Sequence, residues 1–248
     1  MVGKVALVSV GSGDIGRQVS LQLAAAGAKV CFTYFGNKAT AEETLALIKA
    51  SGGEAIAVHA NMTMIVDIQK VVQNCIDTFG DDIHILVNLP EEQIAEKVSS
   101  KKEKPFYDEL LNLYLTSIFL TTKAVLVFMP KGCAVVHLSS MITQSSGFVK
   151  SADDGSSEDV LTLTKSMAKE LAPKGIRVNC ISPTLMNTSA QKNVSKTEMK
   201  THGALDFDSL QKEAKPEEIA QMAVFLTSEK AKAFTGRCVD YAAESYII

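Results

Sequence analysis

No stretch of this chain approaches the ~18 consecutive apolar residues of a membrane span, so a membrane-spanning helix is not expected. Neither sign of charge dominates. Lys and Arg number 25 against 28 Asp and Glu, a net −3, which leaves no electrostatic case for binding nucleic acid or an anionic membrane. Cysteine pairs are also missing. Cys31, Cys75, Cys133, Cys180 and Cys238 stand singly, with no C-x-x-C. Most lie in apolar runs, where cysteine behaves as a small hydrophobe. Buried thiols in a reducing compartment, the cytoplasm or another, are therefore expected. The histidines His59, His84, His137 and His202 show no metal-ligand spacing, and those in or beside apolar strands read as structural. Repeats, linkers and low-complexity segments are absent. The opening "MVGKVALVSVG" carries Lys4 inside its only early apolar run, so no secretory signal is expected.

What is present is a folding chain. Hydrophobic residues make up 46% and charged residues 21% of 248 residues, which suits a single domain over 1–248. Apolar runs alternate with amphipathic stretches. "KVALVSV" reads as a strand and "GSGDIG" as a turn. "RQVSLQLAAAG" reads as a helix stopped by Gly27, and "AKVCFTY" as a second strand. This βαβ unit favours a parallel sheet. The alternation continues through "TAEETLALIKASGG", "EAIAVHA", "VDIQKVVQNCIDTFG" and "IHILVNL", the last apolar throughout as in a strand buried on both faces. Residues 91–104 read as a polar loop and 105–129 as a long helix. "GCAVVHLSS" is a fifth strand, 157–173 a second long helix and "IRVNCIS" a sixth strand. Residues 184–212 look irregular. "KPEEIAQMAVFLTS" is a Pro-initiated helix and "TGRCVDY" a last strand. The fold class expected is α/β: one doubly wound parallel sheet in a Rossmann-type three-layer sandwich.

The order of "AAAGAKV", "IKASGGEAIAV", "LVN", "FLTTKAV", "LTKSMAKELAPKGIRVNCISP", "PEEIAQMAVFLTS" and "TGR" resembles the short-chain dehydrogenase/reductase family, and within it the 3-oxoacyl-acyl-carrier-protein reductases. The resemblance spans nearly the whole chain. It implies an NAD(P)-binding turn of the form Thr-Gly-x-x-x-Gly-x-Gly, whose glycines let the backbone approach a pyrophosphate at a helix N-terminus. Matched on Gly16, this chain reads Ser9, Val10, Gly11, Ser12, Gly13, Asp14, Ile15, Gly16. Val10 and Asp14 replace family glycines, and Gly11 and Gly13 fall in other slots. The Asp14 carboxylate reads as a helix cap. Near a pyrophosphate it would repel each unit charge by about 3 kcal/mol at ~5 Å.

Other cofactor positions are altered too. After the second strand, Phe35 and Gly36 carry no charge, and only Lys38 is placed to meet a 2′-phosphate. The family's adenine-contacting Asp appears as Asn61, followed by Met62. Of its Asn-Asn-Ala-Gly only Asn88 remains, followed by Leu89, Pro90 and Glu91. The Pro-Gly after the sixth strand is Pro183-Thr184, although the later Thr is kept as Thr188. The resemblance further implies catalysis by Ser, Tyr, Lys and Asn. The Tyr is the proton donor, the Lys tunes it, the Ser polarises the carbonyl and the Asn holds a relay water. Ser140 matches the Ser. Counts from Ser140 forward and from "LTKSMAKEL" back both put Asp153 at the Tyr position. The same register puts Ser157 at the Lys position and Tyr114 at the Asn position. No other tyrosine has family spacing to a lysine. Tyr114 pointing into the cleft, or Asp153 protonated by burial, are the rescues that remain.

Three functions follow. The leading expectation is a non-catalytic pseudo-reductase with no cofactor or a weakly held NAD(P), kept as a structural or regulatory partner. It would form a homo-oligomer (dimer or tetramer) or a hetero-oligomer with an active paralogue. The alternative is an NADP(H)-dependent reductase of a ketone or 3-oxoacyl thioester with a non-standard active site. A third is a nucleotide-binding sensor without turnover. The helices at 105–129 and 157–173 are, by resemblance, the ones that pair subunits.

Overall fold

A computed structural model describes residues 1–90, 104–139, 155–183 and 215–241, with side-chain surroundings at 1–90, 113–139, 159–183 and 215–239. Of the stretch 91–104 expected to be a polar loop, all but residue 104, and the whole stretch 184–212 expected to be irregular, lie outside the described residues. Elements are labelled in chain order among those described. Seven parallel strands form one sheet: β1 Val5–Val8, β2 Lys29–Tyr34, β3 Ala55–His59, β4 Ile85–Asn88, β5 Ala134–Leu138, β6 Arg177–Pro183 and β7 Cys238–Tyr241, in the order β3-β2-β1-β4-β5-β6-β7. The helices are α1 Asp14–Ala25, α2 Lys38–Ala50, α3 Ile65–Phe79, α4 Lys104–Val125, α5 Gly155–Leu171 and α6 Pro216–Thr227. The expected three-layer, doubly wound sheet is the fold observed.

The strands are apolar on both faces because helices cover both. Within β1, Val8 belongs to the core beneath α1, α2 and α6, with Leu23, Phe32, Ile48 and Leu226. Its neighbour Leu7 belongs to the opposite core with Ile68, Leu86, Val135 and Leu171. Successive strand side chains point to opposite faces, so this continuous apolar run builds two cores. Each fully buried Leu, Ile or Phe contributes about 1.5–3 kcal/mol from water exclusion.

Helix boundaries differ from expectation by a few residues, for identifiable reasons. Helix α1 begins at Asp14, three residues before "RQVSLQL". The N-cap is Gly13, which brings no side-chain cap, and Asp14 occupies the first turn. The expectation that Asp14 caps the helix is corrected. A carboxylate in the first turn still interacts favourably with the helix dipole. Helix α4 ends at Val125, short of 129, and tightens into a 3₁₀ turn over Leu126–Phe128 before Pro130. Pro216 opens α6 as expected, and Glu218 Oε2 accepts a hydrogen bond from the Lys215 backbone N–H at 3.0 Å.

The strand order reverses at β1. The chain runs outward through β2 and β3, then returns to the other side of β1 with β4. In such sheets the carboxyl ends of the strands flanking the reversal diverge into a crevice where ligands bind. Ser9 to Gly16 and Asn88 to Pro90 stand at that place.

Candidate functional site

The turn from β1 into α1 is held by β2. The Val10 N–H donates to Thr33 Oγ1 at 2.9 Å, the Gly11 N–H donates to the Thr33 carbonyl at 2.8 Å, and Ser20 Oγ donates to the Gly11 carbonyl at 3.4 Å. Two glycines are required by close approach. A Cβ on Gly11 would stand 2.4 Å from Phe32 Cβ, and a Cβ on Gly16 would stand 1.9 Å from the Val10 carbonyl oxygen. Val10, at a family glycine position, has φ +52°. A β-branched side chain rarely adopts this left-handed conformation, so the backbone keeps a glycine's shape after the glycine is gone. Ser12 and Gly13 complete the turn half-buried, and Ile15 packs against the α1-side core.

These residues fit a dinucleotide in shape. The first turn of a helix leaves N–H groups without intrahelical acceptors, and Gly13 supplies no side chain to occupy them. Gly16 brings that N-terminus against the turn. Asp14 opposes the fit in charge, and Val10 and Asp14 both add side chains where the family has glycines. Across the crevice, the Leu89 N–H donates to Ser9 Oγ at 2.8 Å and Ser9 Oγ donates to the Leu89 carbonyl at 3.3 Å, which ties the end of β1 to the loop after β4.

Asn88 is buried beneath α4. Its Nδ2 lies 3.1 Å from His137 Nδ1 and 3.4 Å from Thr122 Oγ1. With Asn88 donating, His137 Nδ1 is the acceptor and the imidazole proton sits on Nε2. That atom is buried and finds no hydrogen-bond partner among the described residues. Burial pushes the His137 pKa down to about 3, so the ring is neutral. The expectation of a satisfied structural histidine holds for one nitrogen only. His84 meets it better, with Nδ1 accepting from the Val5 N–H at 3.1 Å.

Tyr114 does not present a free acid to the crevice. It is 3% exposed and packs with Ile118, Val160 and Cys180. Its hydroxyl donates to the Leu138 carbonyl, binding α4 to the last residue of β5. Burial, with the nearby Cys180 thiol, holds the hydroxyl well above its usual pKa. Asn61 is also committed locally. Its Oδ1 accepts from the Thr63 N–H at 3.0 Å and from Thr63 Oγ1 at 2.7 Å, closing a turn before α3, and Met62 is buried. Ser140, Asp153 and Thr188 lie outside the described residues, as does the side chain of Ser157, whose backbone lies in the first turns of α5.

Beyond β2, the cations of Arg17 and Lys38 are paired with glutamates. Arg17 grips Glu43 with both forks, at 2.7 and 3.1 Å. Lys38 pairs with Glu42 at 2.9 Å. The Arg17 hydrogen bond and charge hold the Glu43 carboxyl below its usual pKa, and Glu42 raises that of Lys38. Asn37 caps α2 through its Oδ1. Phe35 stacks on His59, with ring centroids 5.6 Å apart. The sequence reading missed the Arg17–Glu43 pair, since the residues sit on different helices, and it missed the orphan nitrogen of His137. Val10's conformation was signalled by its alignment with a glycine. Among the described residues no group of three His, Cys, Asp or Glu is placed to hold a metal ion, and no helix is long and apolar enough to cross a membrane.

A doubly wound sheet with a helix N-terminus at its switch point defines an α/β architecture of the dinucleotide-binding type. Comparison with known proteins is more specific. A family model described as "Enoyl-(Acyl carrier protein) reductase" matches residues 11–241. The chain is 30% identical over 239 residues to a 3-oxoacyl-[acyl-carrier-protein] reductase of Synechocystis, covering 94% of this chain and 93% of that one. A short-chain dehydrogenase/reductase from Serratia marcescens superposes with a TM-score of 0.79 at 26% identity, over 96% of each chain. A short-chain dehydrogenase from Burkholderia cenocepacia, solved in complex with NADP, shares the fold with a TM-score of 0.78 at 24% identity, over 96% of each chain. The chain belongs to the short-chain dehydrogenase/reductase family.

Proposed function

We propose that this chain is an NAD(P)H-dependent reductase of a ketone or 3-oxoacyl thioester. It works at a non-standard active site, and slowly for want of the family's general acid. The relationship to a 3-oxoacyl-[acyl-carrier-protein] reductase over 94% of the chain supports this reading above a purely structural role. The observation that carries it is the Gly16 contact. Holding an atom-tight approach between helix α1 and a strained Val10 turn has a stability cost, and a scaffold without ligand gains nothing from it.

The bound dinucleotide would supply a hydride. The chain's own residues do the rest. The first-turn N–H groups of α1, up to Gly16, would receive the pyrophosphate; by family resemblance Asn88 and Thr188 would serve the nicotinamide side and Asn61 and Met62 the adenine side. Ser140 polarises the carbonyl. The Tyr114 proton is engaged with the Leu138 carbonyl, so the substrate oxygen takes its proton from water. Loss of a positioned general acid lowers rate by about 10² to 10⁴, and that is the deficit expected here. The exposed apolar side chains Leu113 and Phe119 on α4 support a homo-oligomer, a dimer or tetramer. The buried, unbridged Cys31, Cys75, Cys133 and Cys180 suit the cytoplasm or another reducing compartment.

A second reading has one observation in its favour. With Tyr114 sequestered, and with Asp153 and Ser157 standing where the family has Tyr and Lys, no described side chain offers a proton to a substrate. A non-catalytic partner of an active paralogue fits that. The test is NADH and NADPH oxidation with an acetoacetyl thioester, alongside dinucleotide binding by calorimetry. Slow turnover abolished by Gly16→Ala supports the reductase. Binding without any turnover sinks it and leaves the second reading.

A further inference from the structure

We infer that one enclosed water molecule sits between β5, α4 and α5, held by His137 Nε2, Thr121 Oγ1 and Thr164 Oγ1. All three side chains are fully buried, and none of these three atoms has a hydrogen-bond partner among the described residues. A threonine within a helix commonly returns its hydroxyl to a carbonyl one turn back. Thr44, Thr78 and Thr227 do so, at 2.9, 2.8 and 2.9 Å. Thr121 and Thr164 do not, so their hydroxyls are not engaged with their own helices. The fold sets the three groups at one level. Cys180, the register partner of His137, packs with Tyr114, Ile118 and Val160. Val135 lies two residues before His137 on the same face of the sheet, in the core with Val125 and Met167. His137 therefore faces the helical turns between these two sets, which carry Thr121 and Thr122 on α4 and Thr164 on α5. The two helices touch each other. Asn88 marks the level directly, since its Nδ2 reaches both His137 Nδ1 and Thr122 Oγ1.

The chemistry of the three groups selects water as the guest. With Asn88 donating to Nδ1, the ring proton is on Nε2, which can only donate, whereas a threonine hydroxyl can accept. A water accepts from Nε2–H and donates to both Oγ1 atoms. That makes three hydrogen bonds, about the number a buried water forms. An anion fits the same donors but is disfavoured, because a buried charge is costly unless paired. Among the described residues no Lys or Arg side chain is buried to balance one, and the His137 ring is neutral. The water completes a polar row from the crevice inward, through Thr122, Asn88 and His137 to Thr121 and Thr164. It ties β5 to α4 and α5 whether or not the chain is a reductase.

The experiment is a crystal structure of the full chain grown in bromide, beside that of the double variant Thr121→Val/Thr164→Val. Valine keeps the shape of threonine without the hydroxyl, and circular dichroism checks that the variant folds. Wild type is expected to show one density peak within about 3.2 Å of His137 Nε2 and of both Oγ1 atoms, with no anomalous bromine signal. The double variant is expected to lose that peak. Solution NMR gives a second reading that needs no variant: the His137 Nε2 proton is expected to cross-relax with a long-lived water. An empty site in wild type, or threonine hydroxyls returned to their own helix carbonyls, overturns the inference. An anomalous peak makes the guest a halide and overturns the assignment to water. A peak that persists in the double variant overturns the role of the threonines, and a Nε2 proton without a water contact overturns that of His137.

Discussion

His137 makes acid stability a direct probe of the buried polar row beneath α4. In the folded chain its pKa is about 3 because burial disfavours the imidazolium; in an unfolded chain it returns to the usual 6.5. The sign follows from proton counts. Below 6.5 the unfolded state binds a proton that the folded state refuses, so acid favours unfolding. The stabilisation is therefore complete above 6.5, is lost progressively as pH falls, and is gone once pH passes below about 3. At about pH 5 the unfolded state has gained ~1.5 pH units of proton affinity, about 2 kcal/mol. This figure is insensitive to the folded pKa as long as that stays below about 4. Urea denaturation of wild type and His137→Asn at about pH 7.5 and about pH 5 measures it. The variant is expected to start less stable and to lose about 2 kcal/mol less than wild type across that interval. NMR of the imidazole provides the direct check: the His137 ring signals stay fixed between about pH 8 and about pH 5. Equal acid sensitivity in the two proteins, or a His137 signal that titrates near 6.5, refutes the buried neutral ring.

The turn at the crevice yields two more tests. Gly16→Ala sets a Cβ against backbone atoms of Val10 and Gly11 that cannot rotate away; a stability loss of at least about 2 kcal/mol is expected by chemical denaturation, with loss of dinucleotide binding. At Val10 the usual ranking of alanine above glycine is expected to invert. Val10→Gly should be more stable than Val10→Ala by about 1 kcal/mol, because φ +52° suits glycine alone, and a more stable alanine variant contradicts the left-handed turn. Tyr114→Phe removes the hydrogen bond to the Leu138 carbonyl and is expected to lower stability by about 1 kcal/mol in urea melts; an unchanged melt means the hydroxyl is not a strap between α4 and β5.

The primary structure carried the architecture because the architecture depends on short-range patterns. Apolar runs such as "IHILVNL" can only be strands buried on both faces, and their alternation with amphipathic segments leaves few topologies besides a parallel doubly wound sheet. The replaced positions Val10, Asp14 and Tyr114 were legible for the same reason: they are offsets counted along a chain. Asp14 was misread as a cap because helix boundaries depend on backbone geometry at Gly13 that composition does not encode. Phe35 and Lys38 were visible as a corner without an obvious charge preference. What the tertiary structure alone decided is how distant residues share their hydrogen bonds and charges. Arg17 meets Glu43 across two helices, the Tyr114 hydroxyl reaches Leu138 from α4, and His137 comes to Asn88 from the next strand with one nitrogen unanswered among the described residues. Pattern along a chain sets which faces are buried. Which donor finds which acceptor depends on contacts tens of residues apart, and those exist only once the sheet is closed by its helices.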